Sequence, residues 1–226
     1  MKTTTLALSI HRALSVACTV ASVTLLSTTA LAQVGQELAT AYHAMPMDHS
    51  HCAAMAAAAS TAGYKQSLRT YAEIPDLVFT DAEGKPVRLR ELLTGDEPVM
   101  LNFIFTTCTT ICPVMTKVFA DARTRLGHEA DNLRMVSISI DPENDTPAQL
   151  KAYAQKFGAD SHWTFLTGPV QDVAAVQRAF DAYDSDKMNH QPLTLLRTAP
   201  GGQWVRIDGF ATPDQLAGEY RDALAL

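Results

Sequence analysis

VMLNFIF, TTCTTICP and VMTKVFADARTRLG run without a break from Val99 to Gly127, and their reading decides the fold. Val99 to Phe105 is almost wholly apolar, and a short continuous apolar run predicts a strand buried on both faces, as in the centre of a parallel sheet. After Cys112 the period changes. Met115, Val118, Phe119, Ala122 and Leu126 recur at helical spacing, and Gly127 stands where a helix of that length would be capped. Pro113 suits the first helical turn, where a missing N–H costs nothing. Cys108 and Cys112 therefore belong to a loop between a buried strand and a helix start.

That position has chemical consequences. The unpaired N–H groups and positive dipole end of a helix favour a thiolate, which is both the reactive form of cysteine and its metal-binding form. Three residues separate the two cysteines, one more than in the C-x-x-C redox motif. A loop of this size lets the sulfurs close a disulfide or grip one soft metal ion side by side. A plain structural disulfide is the blander alternative, although such bridges usually close longer loops.

Working outward, Ile74–Thr80 and Pro86–Leu89 flank a Gly-containing turn and predict an N-terminal hairpin, with the folded domain starting near Tyr71. Val136, Ile138 and Ile140 alternate with serines, as in a strand. Thr146, Pro147 and Gln149 then supply an N-cap, a first-turn proline and a capping-box partner for a helix running to about Phe157 and ended by Gly158. Trp163–Leu166 reads as a strand and Pro169–Tyr183 as a helix. Leu193–Leu196 and Trp204–Ile207 form a second hairpin, and Thr212-Pro213-Asp214-Gln215 opens a last helix. The order predicts an α/β fold with a central mixed sheet flanked by helices. Cysteines at the end of a central strand, opening a helix, point to the thioredoxin-like form of it.

The remaining chain reads as an address and a tether. Lys2 and Arg12 precede an apolar, Ser/Thr-rich run that ends in Ala30-Leu31-Ala32, so residues 1–32 are expected to be a signal peptide, with a membrane anchor as the alternative. The 226-residue chain has 18 basic and 24 acidic residues, and losing two basic residues with the leader takes the net charge from -6 to -8. With no Lys/Arg cluster, nucleic acid is excluded as a partner. An exported protein meets an oxidising compartment, here the periplasm, where disulfides persist and metals are accessible. Residues 33–70 read as a flexible, Ala-rich segment holding Met45, Met47, His49, His51, Cys52 and Met55. Thioether, imidazole and thiolate together suit copper, so this segment is a candidate for auxiliary copper capture. A tether of biased composition is the other reading.

Three pieces of the folded region combine. Cys108-Thr109-Thr110-Ile111-Cys112-Pro113 follows one strand, Ser137 to Pro147 contains the D-P-x-x-D-T-P pattern after the next, and Asn189-His190 precedes the late hairpin. Together these resemble the SCO (SenC/PrrC) family of copper chaperones and thiol-disulfide proteins, over roughly Ile74 to Ala223. The resemblance implies a copper site, Cu(I) or Cu(II), built from Cys108, Cys112 and His190, with Asp141 and Asp145 able to act behind the ligands. It also implies an acceptor, the copper-bearing subunit of cytochrome c oxidase or another copper or thiol protein, and a second use of Cys108 and Cys112 as a redox pair. Membrane contact is expected only if the N-terminus is retained. Met115 and Met135 read as core, and His128 and His162 as surface.

Two departures from that pattern shape the alternatives. Asn189 stands where the family often has Asp. Gln191-Pro192-Leu193-Thr194-Leu195 also resembles the turn that carries a cis-proline opposite the dithiol in ordinary thioredoxins. The rival readings are thus a thiol-disulfide oxidoreductase without physiological copper, and a copper sponge that works through the Met/His segment.

Overall fold

The computed structural model describes residues 63–71 and 73–225. The expected leader at residues 1–32 and the candidate ligands Met45, Met47, His49, His51, Cys52 and Met55 lie outside the described residues.

The strand from the deciding stretch, β4 (Val99–Ile104), is buried at all six positions. Its alternation feeds two cores. Met100 and Ile104 point to one side of the sheet, Val99, Leu101 and Phe103 to the other. Its neighbour β5 (Arg134–Ser139) runs parallel to it, as does β6 (Trp163–Thr167) to β5. Around this parallel centre the other pairings are antiparallel. They involve β1 (Tyr64–Arg69), β2 (Val78–Asp81), β3 (Pro86–Arg88), β7 (Leu193–Arg197) and β8 (Trp204–Gly209), in an eight-stranded sheet ordered β1-β8-β7-β4-β5-β6-β2-β3.

Helices cover both faces because neither face of β4 is polar. On one side lie α2 (Ile111–Leu126), α3 (Pro147–Lys156) and α5 (Pro213–Leu224), which bury Phe119, Leu150 and Leu216 against the sheet. On the other lie α1 (Leu89–Thr94) and α4 (Val170–Ala179), through Leu93 and Val176. This is the expected thioredoxin-like architecture. The stripe of α2 is inward as its spacing requires, with Met115, Val118, Phe119, Ala122 and Leu126 all buried, and Gly127 supplies a positive φ of 52° at its end. Both predicted capping boxes form: Thr146 with Gln149, and Thr212 with Gln215.

Two boundaries differ from the sequence reading. The segment expected to be flexible up to residue 70 contributes β1, which pairs with β8 from Tyr64↔Gly209 to Arg69↔Trp204. Its side chains are mostly exposed, so no apolar alternation announces it; main-chain pairing and a 2.5 Å hydrogen bond from the Tyr64 hydroxyl to Glu219 hold it. The helix expected over Pro169–Tyr183 stops at Ala179, since Asp181 adopts a positive φ of 52° that a helix cannot continue through. The backbone contains no cis peptide among the described residues, so Pro192 is trans and the thioredoxin-type cis turn is not formed.

Candidate functional site

The candidate site begins where β4 ends. The carbonyl of Ile104 still serves the sheet, accepting from Ile140 N at 2.8 Å. Beyond it, the next two backbone donors find side chains instead. Phe105 N donates to Cys112 Sγ at 3.4 Å. Thr106 N donates to both carboxylate oxygens of Asp145, at 3.2 and 3.1 Å. The Cys108 amide turns back onto the Phe105 carbonyl at 3.2 Å. Helix α2 then starts without a capping side chain, because Thr110, at the N-cap, makes no such bond. Cys108 Sγ fills that place, accepting the Cys112 amide at 3.4 Å. The sulfur thus stands where a serine or aspartate oxygen usually caps a helix, in the positive end of its dipole.

Electrostatics follow from this geometry. A hydrogen bond from the Cys112 side chain, helped by the backbone of Cys112 and both groups of Thr110, lowers the Cys108 pKa to about 4 against the opposing effect of burial. The same hydrogen bond, together with deeper burial, pushes Cys112 strongly upward. The pair therefore shares one proton, held by Cys112, and Cys108 is the thiolate at neutral pH. Neither is in a disulfide. Cys108 is 9% exposed and Cys112 only 1%, so attack or transfer from outside meets Cys108 first.

Asp145 fixes this loop from the next strand. Fully buried, its carboxylate accepts from Thr106 N, from the Thr106 hydroxyl and, at 2.6 Å, from Ser139 Oγ. Asp141, four residues earlier on the same turn, is also buried. It accepts from Asn144 Nδ2 at 3.0 Å and from Lys187 Nζ at 2.5 Å. Asp145 thus holds the backbone of the cysteine loop, and Asp141 ties its own turn to Lys187 of the histidine loop.

His190 arrives from the other direction. The β4–β7 ladder ends at Asn102↔Thr194, and the carbonyl of Phe103, one residue further, is taken by His190 Nε2 at 2.9 Å. A carbonyl only accepts, so Nε2 carries the proton and the lone pair of the neutral ring lies on Nδ1. Burial lowers the His190 pKa, opposed by the Phe103 bond and the nearby Cys108 charge, so the ring is neutral at physiological pH. A neutral imidazole with one nitrogen pinned to a backbone carbonyl is the form in which histidine binds metals.

The fold thus brings Cys108, Cys112, His190, Asp141 and Asp145, which lie far apart in sequence, to one end of the central strands. Among the described residues no three His, Cys, Asp or Glu groups are gathered at metal-holding distance, so Cys108, Cys112 and His190 do not form a closed cage in this structure; the Cys108 charge nonetheless reaches the His190 ring electrostatically. Met115 and Met135 are core, and His128 and His162 lie on the surface, as expected. Three contributors escaped the sequence reading: Thr106, Ser139 and Lys187. The first two sit beside recognised motifs and could have been suspected as hydroxyl partners of Asp145. Nothing local marks Lys187, which meets Asp141 across 46 residues. Tyr153 also lies close, its hydroxyl 2.9 Å from Thr116 Oγ1, which in turn donates to the Cys112 carbonyl at 2.8 Å.

A family model described as SCO1/SenC matches residues 65–225. The SCO1 protein homolog of Bacillus subtilis (strain 168) is 43% identical over 97 residues, which cover 42% of this chain and 49% of that one. The chain spans about half the length of such curated relatives. Among solved structures, BsSco, described as a member of the Sco family of cytochrome c oxidase assembly proteins with a disulfide switch, is 32% identical. It superposes with a TM-score of 0.59 over 71% of this chain and 97% of its own. Bradyrhizobium japonicum ScoI, solved with copper bound, is 28% identical with a TM-score of 0.57, over 68% of this chain and 100% of that one.

Proposed function

Because this chain belongs to the SCO1/SenC family, we propose that it is an exported copper-binding chaperone whose cargo is held by Cys108, Cys112 and His190. The acceptor on this reading is the copper-bearing subunit of cytochrome c oxidase; BsSco belongs to a family of cytochrome c oxidase assembly proteins, and Bradyrhizobium japonicum ScoI binds copper. The signal-like residues 1–32 support an exported, periplasmic role, with membrane contact if they are retained.

One observation carries the reading: a thiolate at Cys108 beside a second sulfur, at the same end of the strands as a neutral imidazole that feels the Cys108 charge and has one nitrogen bound to Phe103. The donor set fits copper. Two sulfurs suit Cu(I), and a neutral imidazole extends the set to Cu(II). Three protein ligands leave a position open, through which cargo passes to an acceptor by ligand exchange. Titration of the reduced mature chain with each ion tests this. One-to-one binding of Cu(I) abolished by Cys108→Ser, and of Cu(II) abolished by His190→Ala, is the expected result. Binding indifferent to His190→Ala but lost on deleting residues 33–62, which leaves strand β1 intact, assigns copper to the Met/His segment instead.

The low pKa and outward position of Cys108 also favour a second reading, a thiol-disulfide reductase. In that reaction the Cys108 thiolate attacks a partner disulfide and releases one partner thiolate. Cys112 then displaces the second, so that two electrons pass to the partner and Cys108–Cys112 becomes a disulfide. Efficient reduction of a protein disulfide by a chain that binds neither copper ion would favour this reading over the first.

A further inference from the structure

His190 has no capping strand or helix of its own; it sits at the end of a single 3-10 turn, Lys187–Asn189. That turn is unusually well fastened for its length. Asp186 Oδ1 caps it by accepting from Met188 N at 2.9 Å, Asn189 N returns to the Asp186 carbonyl at 3.0 Å, and His190 N returns to the Lys187 carbonyl at 3.2 Å. The backbone of His190 is therefore tied directly to Lys187. The Lys187 side chain is tied in its turn, to the buried Asp141 carboxylate at 2.5 Å, and its ammonium stands 5.6 Å from the ring centre of Phe105. Phe105 is the residue whose amide binds Cys112 Sγ.

We propose that Lys187 is a positioning residue for His190: with Asp141 it fastens the histidine loop to the turn that, through Asp145, also fastens the cysteine loop. The turn from Asp141 to Asp145 then sets the distance between imidazole and dithiol. Asp145 holds one side through Thr106, and Asp141 holds the other through Lys187. An ammonium is suited to this because its carboxylate partner is buried and would otherwise be left uncompensated. The surrounding residues Met188 and Asn189 are exposed and supply no rival anchor among the described contacts. The inference rests on the copper reading for its consequence, not for its geometry.

The test uses the mature chain with Lys187→Gln and Lys187→Arg, at a side chain exposed enough to change without unfolding the domain. In the metal-free protein, solvent exchange of the His190 ring N–H, followed by NMR, is expected to quicken at least tenfold in Lys187→Gln and to return in Lys187→Arg. Cu(II) affinity, which needs the imidazole, is expected to fall at least tenfold in Lys187→Gln, while Cu(I) affinity, carried by the sulfurs, changes less than twofold. Unchanged ring exchange, or an equal fall for both ions together with a lowered melting temperature, overturns the proposal. Wild-type protein that binds neither ion sinks the copper reading, and the ring exchange then still decides the role of Lys187.

Discussion

Cys108 keeps its charge because a helix start with no other cap surrounds its sulfur with donors. With a pKa near 4, its thiolate fraction is already complete by about pH 6, so alkylation by iodoacetamide should be nearly flat from pH 6 to 8. An ordinary thiol would react roughly tenfold faster for each pH unit over that range. Cys112, shifted the other way, should stay unmodified until Cys108 is lost; mass spectrometry of the labelled chain checks both. Asp145→Asn reaches the same loop from behind. It replaces an oxygen that accepts from Thr106 and Ser139 by an NH2 that cannot, in a fully buried position. The expected loss is about 2–4 kcal/mol in urea unfolding.

Elements bring these side chains into range. Helix α3 starts two residues after Asp145, so the turn that holds the site is also its N-terminal lead-in. Its capping box uses the Thr146 hydroxyl and Gln149 reciprocally. Thr146→Ala should lower stability by about 1 kcal/mol, read from the urea midpoint at unchanged slope. Helices marked by caps and by apolar stripes were legible in the sequence, as α2, α3 and α5 illustrate. Strand β1 was not, because an edge strand held by main-chain pairing leaves no pattern in its side chains. The end of α4 was missed for a related reason: the helical stripe continues to Phe180, and the reversal at Asp181 comes from backbone geometry.

At the scale of the whole molecule, the site occupies one end of the central strands and Arg197 locks the other. Its guanidinium is buried and donates to the carbonyls of Leu93, Ala199, Gly95 and Glu97, with no carboxylate in the set. It joins the end of α1 and the approach to β4 to the end of β7. Burial lowers its pKa below the ordinary arginine value, yet such a group stays charged. Arg197→Met keeps the volume but orphans the four carbonyls, and should cost at least about 3 kcal/mol. Because the two ends of β4 are about a strand length apart, the cysteine labelling profile of that variant should be unchanged wherever it remains folded.

By itself the sequence determined the strand–loop–helix that carries Cys108 and Cys112 and the doubly covered sheet, because apolar period, caps and cysteine spacing are local features that survive in one dimension; the candidacy of His190 came with the family resemblance. Tertiary structure alone decided which cysteine is the thiolate, which nitrogen of His190 holds the lone pair, and that Lys187 anchors the loop beside it. Each of those depends on a partner that is distant in sequence or on a backbone group with no side-chain signature, and only folding brings them together.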